Sequence, residues 1–485
     1  MTQTLIKLDD LVSLCKRRGF IFQSSEIYGG LASCYDYGPL GVELKRNVKN
    51  AWWTSVVQMR DDMVGLDCSI LMHPLAWKAS GHIDKFADLV AECKKCHTRT
   101  RADHLVDKEG KTNEQAQTAG DLSEMLCANP KCKAVGDFTD PMPFKLMFET
   151  QMGANVDDSM TVYLRPETAQ GIFANYKNVL DSTRVKVPFG IAQIGKSFRN
   201  EVTTKAFIFR TREFEQMEIE FFCEPGSDEQ WYEHWKEQRM QWYSNLGIQA
   251  ENLRMRDHDS DELAHYAKGC VDIEYKFPFG QGDWQELEGI ANRTDYDLRQ
   301  HQRGMRSTTS WFENKRDTLA TTMAAEKKDW HKGPLSFFDD EAKKRYIPYV
   351  IEPSAGADRG TLAFLVDAYD EEEVKGETRN LLRFHPKLAP IKVAVFPLVK
   401  KDGMPETARA IYDDLKQHFN CYYDEKSAVG RRYRRQDEAG TPYCVTVDGQ
   451  TAEDQTVTVR DRDSMEQTRI GLNQLKSHLR EKLDM

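Results

Sequence analysis

Residues 197–222 read SFRNEVTTKAFIFRTREFEQMEIEFF, two runs of alternating apolar and polar residues joined by a long basic connection. Successive side chains of a strand point to opposite faces. In the second run this puts Met217, Ile219 and Phe221 on one side and Gln216, Glu218 and Glu220 on the other. The preceding run divides the same way, with Ala192, Ile194 and Phe198 opposite Gln193, Ser197, Arg199 and Glu201. One face of the predicted hairpin is core and the other carries charge. A hairpin with one wetted face shows this alternation without any function. Two features favour a site. The connection, residues 202–211, is longer than the roughly two to five residues usual for a hairpin, and it brings Lys205, Arg210 and Arg212 over the face that holds Arg199. Planar guanidinium forks pair with phosphate oxygens, and Phe214 at the loop exit is suited to stack on a base.

A second stretch, YVIEPSAGADRGTLAFLVDAY at 349–369, complements it. A strand is expected to end at Glu352, followed by small residues and then a helix with Leu362, Leu365, Val366 and Tyr369 on one face. Ser354, Ala355, Gly356 and Ala357 allow a ligand close to the backbone, and Arg359 falls near the positive end of the helix. Neither the GxxxxGK[ST] spacing nor GxGxxG is present, so a nucleotide site here is of another kind.

The 485 residues are enough for about three domains by length. The composition is that of a globular protein, 40% hydrophobic and 30% charged with a mean hydropathy of -0.65, and no apolar run is long enough to span a bilayer. The N-terminal residues mix charges into each apolar stretch, unlike a signal peptide, so a cytoplasmic protein is expected. A formal net charge of -10 argues against bulk nucleic-acid binding except through local basic patches.

Along the chain, Leu44, Val48, Trp52 and Val56 recur four apart and predict an amphipathic helix over 40–59. The segment CSILMHPLAWKASGH reads as a strand, with Pro74 restricting it to an edge or interface. WYEHWKEQRMQWYSNLGI predicts a helix whose tryptophans pack rather than stack on a ligand. CVDIEYKF and WQELEGIA predict paired strands, on which Glu286 and Glu288 share a face. The stretch 301–345 has no assignable pattern. Past a boundary at residues 385–390 the chain alternates IKVAVFPL, PETARAIYDDLKQHF, CVTVD, VTVRD and RIGLNQLKSHLREKL, a separate α/β domain. Within it GRRYRRQDEAG clusters Arg431, Arg432, Arg434 and Arg435 around a tyrosine, either a solvated surface, a structural element or an RNA-backbone contact.

Eleven cysteines are too few for a disulfide scaffold in a chain of this size. Cys93 and Cys96 form a C-x-x-C pair, and Cys127 and Cys132 a longer one, across a polar insertion at 91–140. That is the pattern of a structural four-cysteine zinc site, in which metal replaces a core too small to hold itself. The alternative is four reduced thiols, and His97 is a possible substitute ligand.

Three of these stretches together resemble a known family. FRNE, a long loop and REFEQMEIEFF are similar to motif 2 of the class II aminoacyl-tRNA synthetases, GADRG with its apolar helix to motif 3, and the 40–59 helix with the Pro74 segment to motif 1. YLRPETAQGIF, EFEQMEIEFF and VIEPSAGADRG resemble glycyl-tRNA synthetases of the homodimeric type, over nearly the whole chain. The resemblance implies an α+β fold. Residues 1–386 would form an antiparallel catalytic sheet flanked by helices, with insertions at 91–140 (zinc-ribbon-like), 225–265 and 300–345, and residues 387–485 an α/β anticodon-binding domain. It implies a homodimer built through motif 1, no membrane association, and ligation of glycine to tRNA(Gly). Glycine and ATP with Mg²⁺ would first give glycyl-adenylate and pyrophosphate, and the glycyl group would then pass to the 3' end of the tRNA.

By motif, the resemblance implies that Arg199 binds the α-phosphate, Glu201 the adenine edge and Arg210 or Arg212 the γ-phosphate. Phe214 and Arg359 would sandwich adenine, and Glu286 would meet ATP and its magnesium. Arg199, Arg359 and Glu286 are the implied catalytic residues. Asn200, Phe209, Thr211, Glu213, Leu287, Gly356, Ala357 and Asp358 complete the ATP set. Glycine would be held by Glu167, Glu218, Glu352 and Ser354, with Arg101, Phe214, Glu215, Gln216, Met217, Pro353, Ala355 and Gly356 nearby. Two rivals remain: a synthetase of the same class for proline, histidine or serine, against which EPSAGADRG and RPETAQG count, and an inactive paralogue that only binds nucleic acid, against which the joint presence of Arg199, Glu201, Phe214, Glu286 and Arg359 counts.

Overall fold

Seven strands form the central sheet of the computed structural model, in the order Leu253–Asp257, Gly269–Phe277, Asp283–Thr294, Tyr349–Gly356, Glu213–Cys223, Phe189–Phe198 and Met63–Gly65. All neighbours are antiparallel except Met63–Gly65, which runs parallel to Phe189–Phe198. The structure describes residues 7–112, 121–153, 161–202, 207–260, 262–264, 267–279, 283–313 and 332–484. Lys205 and part of the stretch 300–345 lie outside them.

The two runs of residues 197–222 are adjacent strands, with Gln216 opposite Gly195 and Glu218 opposite Gln193. Met217, Ile219 and Phe221 join the main core with Ala192 and Ile351, as the alternation predicts. Against this face pack the helices Pro39–Trp53, Asp228–Asn245 and Ala357–Ala368. Leu44, Val48 and Trp52 are fully buried on the first of these, and Val56 follows in a short π-helical turn, Thr54–Gln58. On the second, Trp235, Trp242 and Tyr243 are core residues. The segment 225–265 therefore builds the main core and, through Leu253–Asp257, an edge of the sheet.

The opposite face has two zones. At one end Phe189, Ile191, Phe222 and Val350 are covered by the helix Ala169–Ser182, making a second core. Further along the strands this covering stops, and the same face becomes the floor of a cavity. Parity thus assigns the face, while the position of one helix decides which part of it stays open.

Four expectations change. The strand expected to stop at Glu352 continues to Gly356, because Pro353 to Gly356 lie within the run paired with Gln216–Glu218 and with Glu288–Ile290. Tyr369 begins a hairpin with Glu377–Leu382, after its helix has ended at Ala368. The Pro74 segment is not a strand: His73 Nδ1 accepts from the Leu75 amide, and Pro74 opens the helix Pro74–Ala79 at the position where its missing N–H is harmless. Glu286 and Glu288 do not share a face. Ile273 pairs with Glu288 and the next residue, Glu274, with Glu286, so a bulge at Leu287 turns Glu286 to the cavity side and Glu288 to the core side.

The cysteine-bearing insertion is held to a small sheet of Ala87–Glu92, Arg99–Arg101 and Met142–Lys145. In the stretch 300–345 the helix Tyr296–Glu313 and the hairpin Phe337–Asp339/Lys344–Tyr346 are described. The C-terminal domain has five strands in the order Cys421–Tyr423, Val393–Pro397, Tyr443–Val447, Thr456–Asp461 and Gln467–Gly471. Gln467–Gly471 takes the first residues expected of the closing helix, which starts at Leu472. The arginine run forms the helix Val429–Ala439. There Arg432 is buried and donates to the carbonyls of Pro397, Asp424 and Leu398. Asp437 on the same helix takes Arg460 from its own domain and Arg379 from the hairpin of Tyr369–Val374 and Glu377–Leu382, a buried tie to the preceding part of the chain.

On the core side, Glu288 is neutralised by Arg239, whose Nε lies 2.7 Å from Oε1 with both groups buried. The guanidinium also stacks 4.7 Å from the Trp242 ring. Removing one partner of such a pair strands the other charge. Arg239→Ala is expected to cost about 3–5 kcal/mol in chemical denaturation; a loss below about 1 kcal/mol, the scale of an exposed pair, would show that Glu288 is not held as an ion.

Candidate active site

The open zone of the sheet forms a cavity of about 520 Å³. Its two ends differ in chemistry. At the basic end Arg199, Arg210 and Arg359 converge with Arg101 from the insertion's sheet. At the acidic end Glu352 and Ser354 line the wall, with Glu218 directly behind them.

Arg199 leaves the end of Phe189–Phe198 with its Nε donating to the Pro166 carbonyl at 3.0 Å, and its guanidinium sits 5.4 Å from the Phe214 ring and 5.5 Å from that of Phe86. The anchor at Pro166 is itself fixed. Buried Arg165 donates to the carbonyls of Lys196 and Cys68 at 2.6 and 2.7 Å. Its Nη2 would lie only 2.3 Å from a Cβ on Gly195, so the glycine is what lets Arg165 cross the strand. Arg359 stands at the start of Ala357–Ala368, 3.1 Å from the Glu286 carboxylate, 2.9 Å from the Glu286 carbonyl and 4.5 Å over the Phe209 ring. The attraction of Arg359, against burial, holds Glu286 below the usual carboxylate range. Asp358 accepts from the Tyr37 hydroxyl, the Lys45 ammonium and the Glu215 amide at 2.6–2.7 Å, locking that helix to Pro39–Trp53.

Buried hydroxyls and one guanidinium organise the acidic floor. Glu218 accepts from Ser354 Oγ at 2.8 Å and Thr168 Oγ1 at 3.2 Å. Gln216 Oε1 accepts from Ser197 Oγ and the Thr168 amide. Glu352 is paired with Arg293 at 2.6 Å, and Arg293 is also clamped by Asp297 at 2.7 Å. Burial raises the pKa of Glu352, with Arg293 opposing. Glu167, 3.3 Å from His82 and accepting from Gln170 at 2.9 Å, goes the other way. Its burial favours the neutral form, but His82 and Arg293 outweigh this and hold the carboxyl below its usual range.

Of the residues named from sequence, Arg101, Arg199, Glu201, Phe209, Arg210, Thr211, Phe214, Gln216, Glu286, Glu352, Ser354, Gly356, Asp358 and Arg359 line this one cavity. Glu167 and Glu218 belong to the polar network at its acidic end. Others are not brought to it. Met217, Leu287, Ala355 and Ala357 are core residues. Glu213 faces outward against Lys196, and Glu215 pairs with Lys45 and Lys49 on the core side of the strand. Arg212 turns away to the Ala32 carbonyl, leaving Arg210 as the described loop arginine in the cavity. Asn200 donates its amide to the Leu146 carbonyl, and Pro353 pairs within the sheet. Phe209 lies under Arg359, whereas Phe214 lies under Arg199. Sequence reasoning missed Arg293, Asp297, His82 and Thr168. Only Arg293 carried a signal, as a cation at the end of a strand already assigned to the sheet.

In the insertion Cys93, Cys96, Cys127 and Cys132 bring their sulfurs within 4.8 Å of one another, with Cys93–Cys132 at 3.8 Å and Cys96–Cys127 at 3.5 Å. Four thiolates around zinc at ~2.3 Å in a tetrahedron stand about 3.8 Å apart, so the donor set and spacing suit that ion. His97 is not among them; it is exposed and bonds Glu92. All eleven cysteines are free of disulfides. No helix among the described residues is long and apolar enough to cross a membrane.

Known proteins resemble the chain in sequence. Residues 148–385 match the tRNA synthetase class II core domain (G, H, P, S and T), and residues 392–482 the anticodon binding domain. A glycine--tRNA ligase of Rhodopirellula baltica is 48% identical to the chain, covering 98% of it and 99% of the relative. Those of Acetivibrio thermocellus and Thermobifida fusca are 52% and 51% identical, each over 98% of both chains.

Proposed function

The chain belongs to the glycine--tRNA ligases of the class II synthetases, and on that premise we propose that its cavity is where glycine and ATP are condensed to glycyl-adenylate before transfer to tRNA(Gly). The observation that carries this assignment is the two-ended floor. The open sheet face carries buried carboxylates and Ser354 at one end, and arginines from the loop, the Ala357–Ala368 helix and the insertion's sheet close over the other, with Gln216 on the floor.

A triphosphate suits the basic end. Attack of the glycine carboxylate on the α-phosphorus gathers charge on phosphate oxygens, and a guanidinium held in advance stabilises that charge without reorganising. Arg199 has such a hold through Pro166, which supports its assignment to the α-phosphate. Arg210 is then the γ-phosphate ligand. Phe214 and Arg359 form the adenine slot, with Glu201 at the base edge. Class II enzymes use ATP with Mg²⁺, and Glu286, an ionised oxygen donor at the cavity, is suited to a hard cation; the ion, when bound, offsets phosphate charge.

At the acidic end the glycine ammonium meets Glu167 and Glu218, beside Glu352 on the cavity wall. A closed, buried floor rejects larger amino acids sterically, so discrimination needs no editing domain. The Val393–Leu483 region, with its match to an anticodon binding domain, takes the other end of the tRNA. Zinc in the four-cysteine cluster holds the insertion that presents Arg101. Two copies pair through the Pro39–Trp53 helix and the segment after it, where Val42, Met59 and Leu71 are exposed. The reaction takes place in the cytoplasm.

Arg199→Ala is expected to lower the rate of glycine-dependent pyrophosphate exchange by about 10²-fold or more, and Arg359→Ala chiefly to raise the KM for ATP; exchange within about threefold of the parent in the Arg199 variant would place the α-phosphate elsewhere. Metal analysis of purified protein should give about one zinc per chain with Zn–S distances near ~2.3 Å, and an active, folded, metal-free protein would refute the zinc site. Sedimentation at working concentrations should show a dimer, a result that a stable and fully active monomer would reverse.

A further inference from the structure

One carboxylate at the acidic end has no role in the scheme above. Glu220 is fully buried, and neither of its oxygens has a hydrogen-bond partner among the described residues. The register that pairs Glu218 with Ser354 and Phe221 with Ile351 sets Glu220 across from Glu352. Carboxylate oxygens of Glu218, Glu220 and Glu352 lie within 4.8 Å of one another.

Three buried carboxylates this close do not all ionise, because burial and mutual repulsion both favour the neutral form. The surrounding donors decide which of them carries the proton. Glu218 has the Ser354 and Thr168 hydroxyls, and Glu352 has the Arg293 guanidinium. Glu220 has neither. The other charged groups acting on it are Arg293 and Asp297, which already bind each other. The face beyond Glu220 is the apolar core under Ala169–Ser182, where Phe173 and Phe222 pack. Burial, then Glu352, pushes the Glu220 carboxyl well above the usual range, against Arg293. Glu218 is pushed the same way by burial, by Glu352 and by Glu167, with the Ser354 hydroxyl opposing; unlike Glu220 it has hydroxyl donors, Ser354 and Thr168, within reach.

We propose that Glu220 is a positioning residue of the glycine site that enters as the neutral acid, its uncharged carboxyl group set beside Glu352, so that Glu352 stays on Arg293 and Glu218 and Glu167 are left to meet the substrate ammonium. The inference rests on the glycine assignment above. A neutral acid both donates and accepts, as an amide does. Glutamine therefore replaces it in charge and shape, and alanine does not.

The test measures pyrophosphate exchange as a function of glycine and of ATP. Glu220→Ala is expected to raise the KM for glycine about tenfold or more with the KM for ATP unchanged, the mark of lost substrate binding. Glu220→Gln should recover it to within about threefold of the parent. In infrared difference spectra on deuteration, the parent should show the carbonyl stretch of an un-ionised carboxyl group that Glu220→Gln lacks. A Gln variant as impaired as the Ala variant, an Ala variant with normal glycine KM, or a band unchanged in Glu220→Gln would each overturn the proposal. Glu218→Gln separates the two levels: if it leaves the KM for glycine unaltered, the glycine assignment itself fails. Should Glu220→Ala not fold, the Gln variant and the spectrum still decide.

Discussion

The site depends on the register of the Glu213–Cys223 strand between Phe189–Phe198 and Tyr349–Gly356. A slip of one residue would exchange Gln216, Glu218 and Glu220 for Met217, Ile219 and Phe221, sending carboxylates into the main core and apolar side chains into the cavity. The core face pins that register because it is buried against three helices. The other face depends on it more finely, since Glu218 meets the Ser354 hydroxyl only in this pairing. Core packing and substrate chemistry are thus fixed by the same backbone ladder.

A sheet with so many internal carboxylates is stable only because nearly every one is answered. Arg239 answers Glu288 beneath the sheet, Arg293 answers Glu352 and Asp297 above it, and Tyr37, Lys45 and the Glu215 amide answer Asp358. Burying an unpaired charge is costly and losing one member of a pair more so. The partners therefore serve positioning as much as neutralisation. Arg199 is rigid because Arg165 fixes the segment it bonds to, and Arg165 passes because residue 195 is glycine.

Strand parity, helical spacing and cysteine spacing are local, and they made most of this legible in the sequence. The hairpin faces, the Pro39–Trp53 helix, the packing role of Trp235 and Trp242 and the gathering of four cysteines all follow from residues near one another in the chain. Parity failed where a bulge interrupts it: Leu287 turns Glu286 and Glu288 to opposite sides, and nothing in WQELEGIA signals the insertion. It also could not say which part of a polar face a helix covers, which separates Phe222 in the second core from the cavity floor. Partners contributed from a distance, such as His82 to Glu167 or Asp437 to Arg379, have no sequence signature at all. The arginine run at 430–435 left surface, structural and RNA-contact readings open, and for Arg432 the structural one holds, because the carbonyls it satisfies come from other segments.

The central claim is that one cavity over the open sheet face binds glycine at its carboxylate end and ATP at its arginine end. A crystal structure with a non-hydrolysable glycyl-adenylate analogue tests it most directly. The ammonium should lie within hydrogen-bonding distance of Glu218, the phosphate mimic at Arg199, and the adenine between Phe214 and Arg359. An analogue bound with its ammonium away from Glu218 and Glu352, or its adenine outside the Phe214–Arg359 slot, would contradict the account.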